Sequence, residues 1–456
     1  MRDPRAVGAV GRYALLGATV LGTMANNVIN VPLHSIARDL DESVSSAVLA
    51  VSAFIIVLAV AMPITGWVGD RFGRRRILLA ALVLMVVGQV LAAASPNLPM
   101  LIGARAVQGL ACSAIPPMVM GMLVTFFPGQ RLRMMGAWAA ANGVGQALGP
   151  PIGGVVADAV GWRPLFVLMA VASVVTLGLV AGAVPRVPGV RQRFDLMGAS
   201  LISTGMALLL VALTTVSLPA VGPRVTASAA AVGLILLATF VLVSSRNPAS
   251  MLPAHLLLET RFLRSCVAAF VQMFMLGTVL VALPLYLTGQ LGMSTWQAGL
   301  LFFQLPFVMF LFAPVVSRLA ARRQPRLILR IGLVVLIIGG VLAALVTRVP
   351  AAPYAGVTVS VVLVVLGVGM ACVQTPAAAG ATRSPAGARG AALGVFNMLR
   401  FSGSAAGTAW VAIAYVHAGL VPLFLVASGM AMLGLVASFL GPDPQDFHGA
   451  QPAVAS

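Results

Sequence analysis

Gly66-Trp67-Val68-Gly69-Asp70-Arg71-Phe72-Gly73-Arg74-Arg75-Arg76 stands between two apolar runs, residues 46–66 and 77–95. A charged turn between hydrophobic runs is often only an anchor, and Arg75 and Arg76 read equally well as that. The ordered pattern G-x-x-x-D-R-x-G-R-R asks for more. Gly66 and Asp70 are one helical turn apart, so a neighbouring helix can come close at Gly66. Asp70 can then meet that helix's N-terminal amides or an arginine. Gly73 permits a tight turn.

Outward from this turn, apolar runs fall at 13–33, 46–66, 77–95, 99–126, 134–157, 164–184, 197–218, 226–245, 264–288, 296–317, 327–347, 354–378, 391–416 and 420–441, fourteen in all. A bilayer is crossed by roughly 20 apolar residues in a helix. Hydrophobic residues fill 60% of the 456 positions, charged residues 8%, and the mean hydropathy is +1.04. Ordinary soluble domains cannot bury that much apolar surface. The expected fold is therefore an all-α integral membrane protein with 14 transmembrane helices.

The net charge of +18 does not mark a nucleic-acid partner. Every basic residue is arginine, and nearly all lie between runs rather than converging on one groove. With the N-terminus inside, 22 arginines fall in cytoplasmic loops and tails and four in outer loops (Arg38, Arg163, Arg224 and Arg348). Arg105 and Arg400 lie within runs. This bias predicts that both termini are cytoplasmic, in a cell (inner) membrane whose lipid bilayer surrounds the chain.

Two longer loops, 185–196 and 246–263, bracket a pair of runs. The expected organisation is a cytoplasmic tail (1–12), a six-helix bundle (13–185), two additional helices with their leading loop (186–245), a linker (246–263), a second six-helix bundle (264–441) and a cytoplasmic tail (442–456). Pro253, His255, Glu259 and Arg261 among leucines suit a linker lying at the membrane surface. The arginines ahead of the first run resemble a signal peptide, but the run continues through Asn26, Asn27 and Asn30 without a cleavage site. Cys112, Cys266 and Cys372 sit far apart in apolar runs and read as small packing residues. No metal spacing, phosphate-binding glycine loop or nucleophile–base set is recognisable, so no metal, no cofactor and no enzymatic activity are expected.

The charged turn resembles the signature loop of the major facilitator superfamily. Leu101-Ile-Gly-Ala-Arg105-Ala-Val-Gln108-Gly109 is similar to that superfamily's fourth-helix motif. Gly145-Gln146-Ala-Leu-Gly149-Pro150-Pro151-Ile-Gly153-Gly154 is similar to the fifth-helix motif of its antiporters. There, small residues at 145, 149 and 153 make a groove for close helix packing, and Pro150 bends the helix. Arg193-Phe-Asp195-Leu-Met-Gly198 and Leu283-Pro284-Leu-Tyr286-Leu-Thr-Gly289-Gln290-Leu-Gly292-Met-Ser294, followed by Gly299 and Pro306, resemble segments of fourteen-helix drug/proton antiporters. The resemblance runs from about residue 13 to 440. It implies two six-helix bundles plus two extra helices, alternating access, export of small organic molecules or drugs, and coupling to H⁺. A weak repeat, Asn142-Gly-Val-Gly-Gln-Ala-Leu-Gly149 against Asn397-Met-Leu-Arg400-Phe-Ser-Gly403-Ser-Ala-Ala-Gly407, fits paired halves around a central cavity.

One departure bears on substrate and coupling. Where that branch carries an acid in its first helix, this chain reads Met24-Ala25-Asn26-Asn27, and its ten carboxylates all fall at run ends, in loops or in tails. Asn26, Asn30 and His34, at i, i+4 and i+8, are expected on one face of the first helix, with Asn27 beside them. That face, like Gln146, Gln272, Gln304, Gln374 and Asn397 singly, reads either as packing hydrogen bonds or as the wall of a substrate cavity. Arg105 either snorkels to the outer helix end or, as the resemblance implies, takes part in coupling. Arg400, deeper in its run and without an acid on adjacent turns, is expected in an aqueous cavity. Cations and amides without acids favour a neutral or anionic substrate. His34 is the nearest titratable group for proton coupling, and Asp158 or another ion is the competing account. The alternative is a carrier fold that senses, assembles or facilitates without coupled transport.

Overall fold

The computed structural model describes residues 7–186, 188–190, 195–215, 221–247, 250, 252–293, 295–348 and 355–441. The terminal segments 1–6 and 442–456, and Arg193 and Ser294 of the motifs above, lie outside the described residues.

The helices are α1 (Ala9–Asn27), α2 (Leu33–Asp39), α3 (Val44–Phe72), α4 (Arg74–Ala93), α5 (Leu98–Phe126), α6 (Arg131–Val160), α7 (Trp162–Ala183), α8 (Leu196–Thr215), α9 (Pro223–Arg246), α10 (Ala254–Leu257), α11 (Thr260–Leu285), α12 (Thr295–Arg322), α13 (Pro325–Val346), α14 (Ala355–Arg383), α15 (Gly390–Ala418) and α16 (Leu420–Ala437). All but α2 and α10 have 18 residues or more. Among the described residues, 11 helices are long and apolar enough to cross a membrane. The long helices α1, α6 and α15 fall outside that set; polar residues lie along them, among them Arg12, Asn26 and Asn27 on α1, Asn142 and Gln146 on α6, and Asn397 and Arg400 on α15. Buried polar side chains are not confined to these three helices: Arg105 and Gln108 on α5, Gln272 on α11 and Gln374 on α14 are buried as well.

Packing follows the small-residue stripes. α1 lies on α6 and α7, while α3, α4 and α5 pack together. In the later half α11 packs on α15, α16 and α14, and α13 lies between α14 and α16. The two sets meet along α6–α12 and α3–α15. The hairpin α8–α9 rests on α3 and α15. The end of α3, the starts of α11 and α15 and the end of α14 share one end of the bundle, the arginine-rich end.

The first run departs from expectation. α1 stops at Asn27, Asn30 sits in the following turn, and Pro32 caps the separate helix α2. Proline has no N–H to donate, and its ring clashes with the carbonyl four residues earlier, here Val28. Asn26, Asn30 and His34 therefore do not share a helical face. Asn30 and His34 are exposed, on a turn and on α2 respectively. By contrast, α6 runs unbroken through Pro150 and Pro151.

Candidate functional site

At the arginine-rich end, α3 carries the opening motif to its last turn, and Gly73 (φ 97°) turns the chain directly into α4. Asp70 Oδ1 accepts from Arg74 Nε at 3.2 Å and Nη2 at 3.0 Å. Its Oδ2 accepts from the backbone N–H of Gly390, the first residue of α15. A carboxylate at a helix N-terminus meets orphan amides and the positive end of the helix dipole. Arg74 Nη2 also donates to the Ala388 carbonyl at 3.1 Å, so one arginine spans both halves. Gly66 is tighter still: a Cβ there would come within 2.1 Å of the Gly390 carbonyl oxygen. Arg71 stacks over Trp67 and Phe72 and points outward. Gly66, Asp70 and Arg74 of one half thus meet the start of α15 and the residues just before it in the other.

Along α6 the glycines of the antiporter-like motif form a groove, and α1 lies in it. A Cβ at Gly145 would meet the Val20 carbonyl at 2.6 Å, and one at Gly153 the Val28 carbonyl at 2.2 Å. Gly149 faces Asn27 Cβ, and Gly154 faces Val31. The same device recurs in the later half. A Cβ at Gly403 or Gly407 would strike the Phe270 or Phe274 carbonyl of α11.

Between the halves lies a buried polar layer. Arg400 of α15 is 2% exposed, and its Nη2 donates to Asn142 Oδ1 of α6 at 3.4 Å. Trp138 and Phe401 flank the guanidinium with centroids at 5.1 and 5.2 Å. Asn142 Oδ1 also accepts from Thr23 Oγ1 of α1 at 3.1 Å, so three helices share one amide. Asn397, three residues before Arg400, turns its amide N–H toward Met120 Sδ of α5 at 3.4 Å. Much of this layer has unmet hydrogen-bonding capacity. Arg400 Nε and Nη1, Asn397 Oδ1, Trp138 Nε1 and both polar atoms of Gln272 and of Gln374 are buried without a partner. Leaving such atoms dry costs a few kcal/mol apiece. Each is a group that ordered water or a polar guest could satisfy.

Arg105 belongs to a neighbouring network. It is fully buried and does not snorkel. Nη1 donates to Gln108 Oε1 at 2.7 Å and to the Ala25 carbonyl at 3.0 Å, and the guanidinium lies 4.2 Å from the Phe54 ring centroid. Gln108 in turn donates to Gln89 and the Gly88 carbonyl of α4. Asn26, next to Ala25, has a buried Oδ1 without a partner. Asn27 is spent on its own helix, donating to the Thr23 carbonyl. Gln146 is half-buried on α6, and Gln304 of α12 ties to Ser360 of α14 at 3.2 Å. Asp158 is exposed at the far end of α6. Among the described residues no Asp or Glu is buried; the buried charges are Arg105, Arg264, Arg326 and Arg400.

Sequence reading missed Thr23, Trp138 and the bridging role of Asn142. Only Asn142 carried a signal, as the repeat partner of Asn397. It missed as well an apolar cavity of about 870 Å³ between the α8–α9 hairpin and α11 and α15, lined by residues such as Met206, Leu213, Phe270 and Ser402.

Two helical halves locked at one end, with a polar layer buried between them, define a multi-pass membrane carrier. The chain belongs to the Major Facilitator Superfamily, whose family model matches residues 15–408 and 266–454. It is similar to the puromycin resistance protein pur8 of Streptomyces alboniger, 30% identical over 415 residues that cover 88% of this chain and 80% of that protein. An uncharacterized MFS-type transporter of Mycobacterium tuberculosis is 28% identical over 408 residues, 88% of this chain and 69% of the relative. A putative multidrug resistance protein, MdtD, of Escherichia fergusonii is 26% identical over 308 residues, 66% of this chain and 65% of the relative. In fold, the crystal structure of the human organic anion transporter MFSD10 matches with a TM-score of 0.68 and 18% identity, covering 96% of this chain and 100% of that one. The chain is a secondary transporter of small molecules, as members of its superfamily are.

Proposed function

We propose that the chain exports neutral or anionic organic molecules by alternating access, through fourteen spans with both termini in the cytoplasm of the cell membrane. The observation that carries this reading is Arg400, a buried cation with two unpartnered N–H-bearing nitrogens and no buried acid among the described residues. A cationic drug would meet repulsion there, whereas a carboxylate or carbonyl would satisfy the guanidinium. Asn142, Gln272, Gln374 and Asn397 would complete the polar wall, with Asn26 and Arg105 beside it. Residues 13–185 and 264–441 act as the rocking halves, and 186–245 forms the additional hairpin. The relatives named for drug resistance support export.

The test is flux into inside-out proteoliposomes of the full chain, using matched neutral, anionic and cationic compounds with puromycin included. Uptake of neutral or anionic compounds that is lost in Arg400→Gln is the expected result. Uptake confined to cations would overturn the substrate class, and no uptake of any compound would favour a sensor or assembly role. Coupling to H⁺ rests on the family resemblance. His34 and Asp158, both exposed at the outer end, are the groups that would load a proton there. His34→Gln and Asp158→Asn should weaken pH-driven flux. Unaltered pH-driven flux in both would remove them from the coupling step.

A further inference from the structure

A second cavity lies apart from the central polar layer, at the arginine-rich end where the halves meet. It measures about 430 Å³ and is lined by Asp70, Arg74, Thr125 and Arg131 from the first half and by Arg383 and Ser384 from the second. Three arginines, Arg74, Arg131 and Arg383, line it together with one carboxylate, Asp70. Asp70 is committed to Arg74 and to the Gly390 amide. Arg131 has a buried Nε with no hydrogen-bond partner. Arg383 is near enough to Arg131 and Arg261 to feel both like charges. Arg261 donates to the Arg383 carbonyl at 3.5 Å and keeps its own Nε buried and unpartnered. The neighbouring acid, Glu259, caps α11 through the Arg261 and Phe262 amides, bonds the Ser384 side chain and feels the charge of Arg261, one carboxylate beside Arg131, Arg261 and Arg383.

Guanidinium groups gathered from two halves around one space suit an oxyanion, and they supply the donors because the lining hydroxyls are spent, Thr125 on the Gly121 carbonyl and Ser384 on Glu259. The planar fork matches phosphate geometry in pairs of hydrogen bonds, and a doubly charged group offsets two arginines at once. The cavity is larger than one phosphate, which leaves room for an attached ester.

We propose that this cavity binds a phosphate group, grasped by Arg131 from one half and Arg383 from the other, and that the bound anion holds the arginine-rich end closed. The phosphate comes from a soluble phosphate compound or from the headgroup of an anionic lipid, since the cavity stands at the end of the helix bundle and both can reach it. An anion shared by two halves binds only where they are together, so it shifts the population toward that state.

The experiment uses the full chain with two readouts that need no transported substrate. The first is the unfolding midpoint. In lipid-free micelles, inorganic phosphate is compared with chloride at equal ionic strength. In nanodiscs, phosphatidylcholine is compared with and without phosphatidic acid. The second is the distance between spin labels on Gln130→Cys and Gln324→Cys, exposed positions on opposite halves at this end. The native cysteines Cys112, Cys266 and Cys372 are buried. A rise of a few degrees together with a shift toward the short distance is expected. If it appears with inorganic phosphate the source is soluble, and if it appears only with phosphatidic acid the source is lipid. Arg131→Gln or Arg383→Gln should abolish the response and Arg→Lys should restore part of it. Arg163→Gln, at the opposite end, should leave it intact. No response to either phosphate source, or a response that survives both Gln substitutions, would overturn the proposal. Either result would leave the reading of the central layer untouched.

Discussion

Asp70 joins an arginine of its own half to the first amide of a helix in the other, with a side chain only 8% exposed. Hydrogen bonds to a charged group contribute about 1.5–3 kcal/mol, so Asp70→Asn should shift the equilibrium away from the closed arginine-rich end by about tenfold to a hundredfold. Initial transport rates should fall by a similar order while expression persists, and unchanged rates would demote the motif to a topology anchor. Arg400 poses the opposite case. A buried guanidinium without an acid is costly, so Arg400→Gln should leave the unfolding midpoint equal or higher while cutting anion flux tenfold or more. A clear drop in the midpoint would recast Arg400 as a structural residue. At the outer end, hydrogen bonds from Arg163 and then Trp162 hold the Asp39 carboxyl below its ordinary value of 3.8. A lowered pKa means stabilisation that is present above the ordinary value and lost as pH falls through the folded one. Asp39→Asn should therefore melt slightly lower than wild type at neutral pH, and the gap should close as pH falls below the ordinary value of 3.8 and through the lowered folded one. The effect is small because both partners are partly exposed.

At the scale of helices, what the sequence made legible was mostly a demand of backbone geometry. Glycines at 66, 145, 149 and 153 announced close approach before any partner was known, because glycines one turn apart in an apolar helix leave a groove that a neighbouring backbone can enter. Which helix fills each groove was not legible, since α1 on α6 is a contact between distant segments. Arg105 shows the same limit: its acceptor, the Ala25 carbonyl, lies 80 residues away. The break after Asn27 was legible in principle from Pro32, but apolar continuity through residue 33 hid it. A test at this scale is Gly153→Ala. Its Cβ would need to sit 2.2 Å from the Val28 carbonyl oxygen. Separating α1 from α6 should lower the midpoint, with an overpacking cost of about 1–3 kcal/mol, whereas Gly182→Ala, which meets nothing within 4 Å, should not. Equal midpoints for the two proteins would mean that α1 does not depend on this seam.

For the whole molecule, the arginine bias and the fourteen apolar runs of the sequence make one expectation. Reporters fused to the N- and C-termini should both respond only from the cytoplasm. A C-terminal tag labelled by an impermeant reagent in intact cells would require a span to be removed and would reverse the assignment of every later loop. The seal between the halves has a further consequence. At 66, 390 and 394 glycine lies against backbone of the opposite half, with a built Cβ 2.1–2.4 Å from a carbonyl oxygen. Glycine is already the smallest residue, so every mutation at these codons adds bulk. Inheritance there is one-sided: variants arising under drug selection can wedge the seam apart but can never draw it closer, and any lineage that needs a firmer closure must find it at other codons.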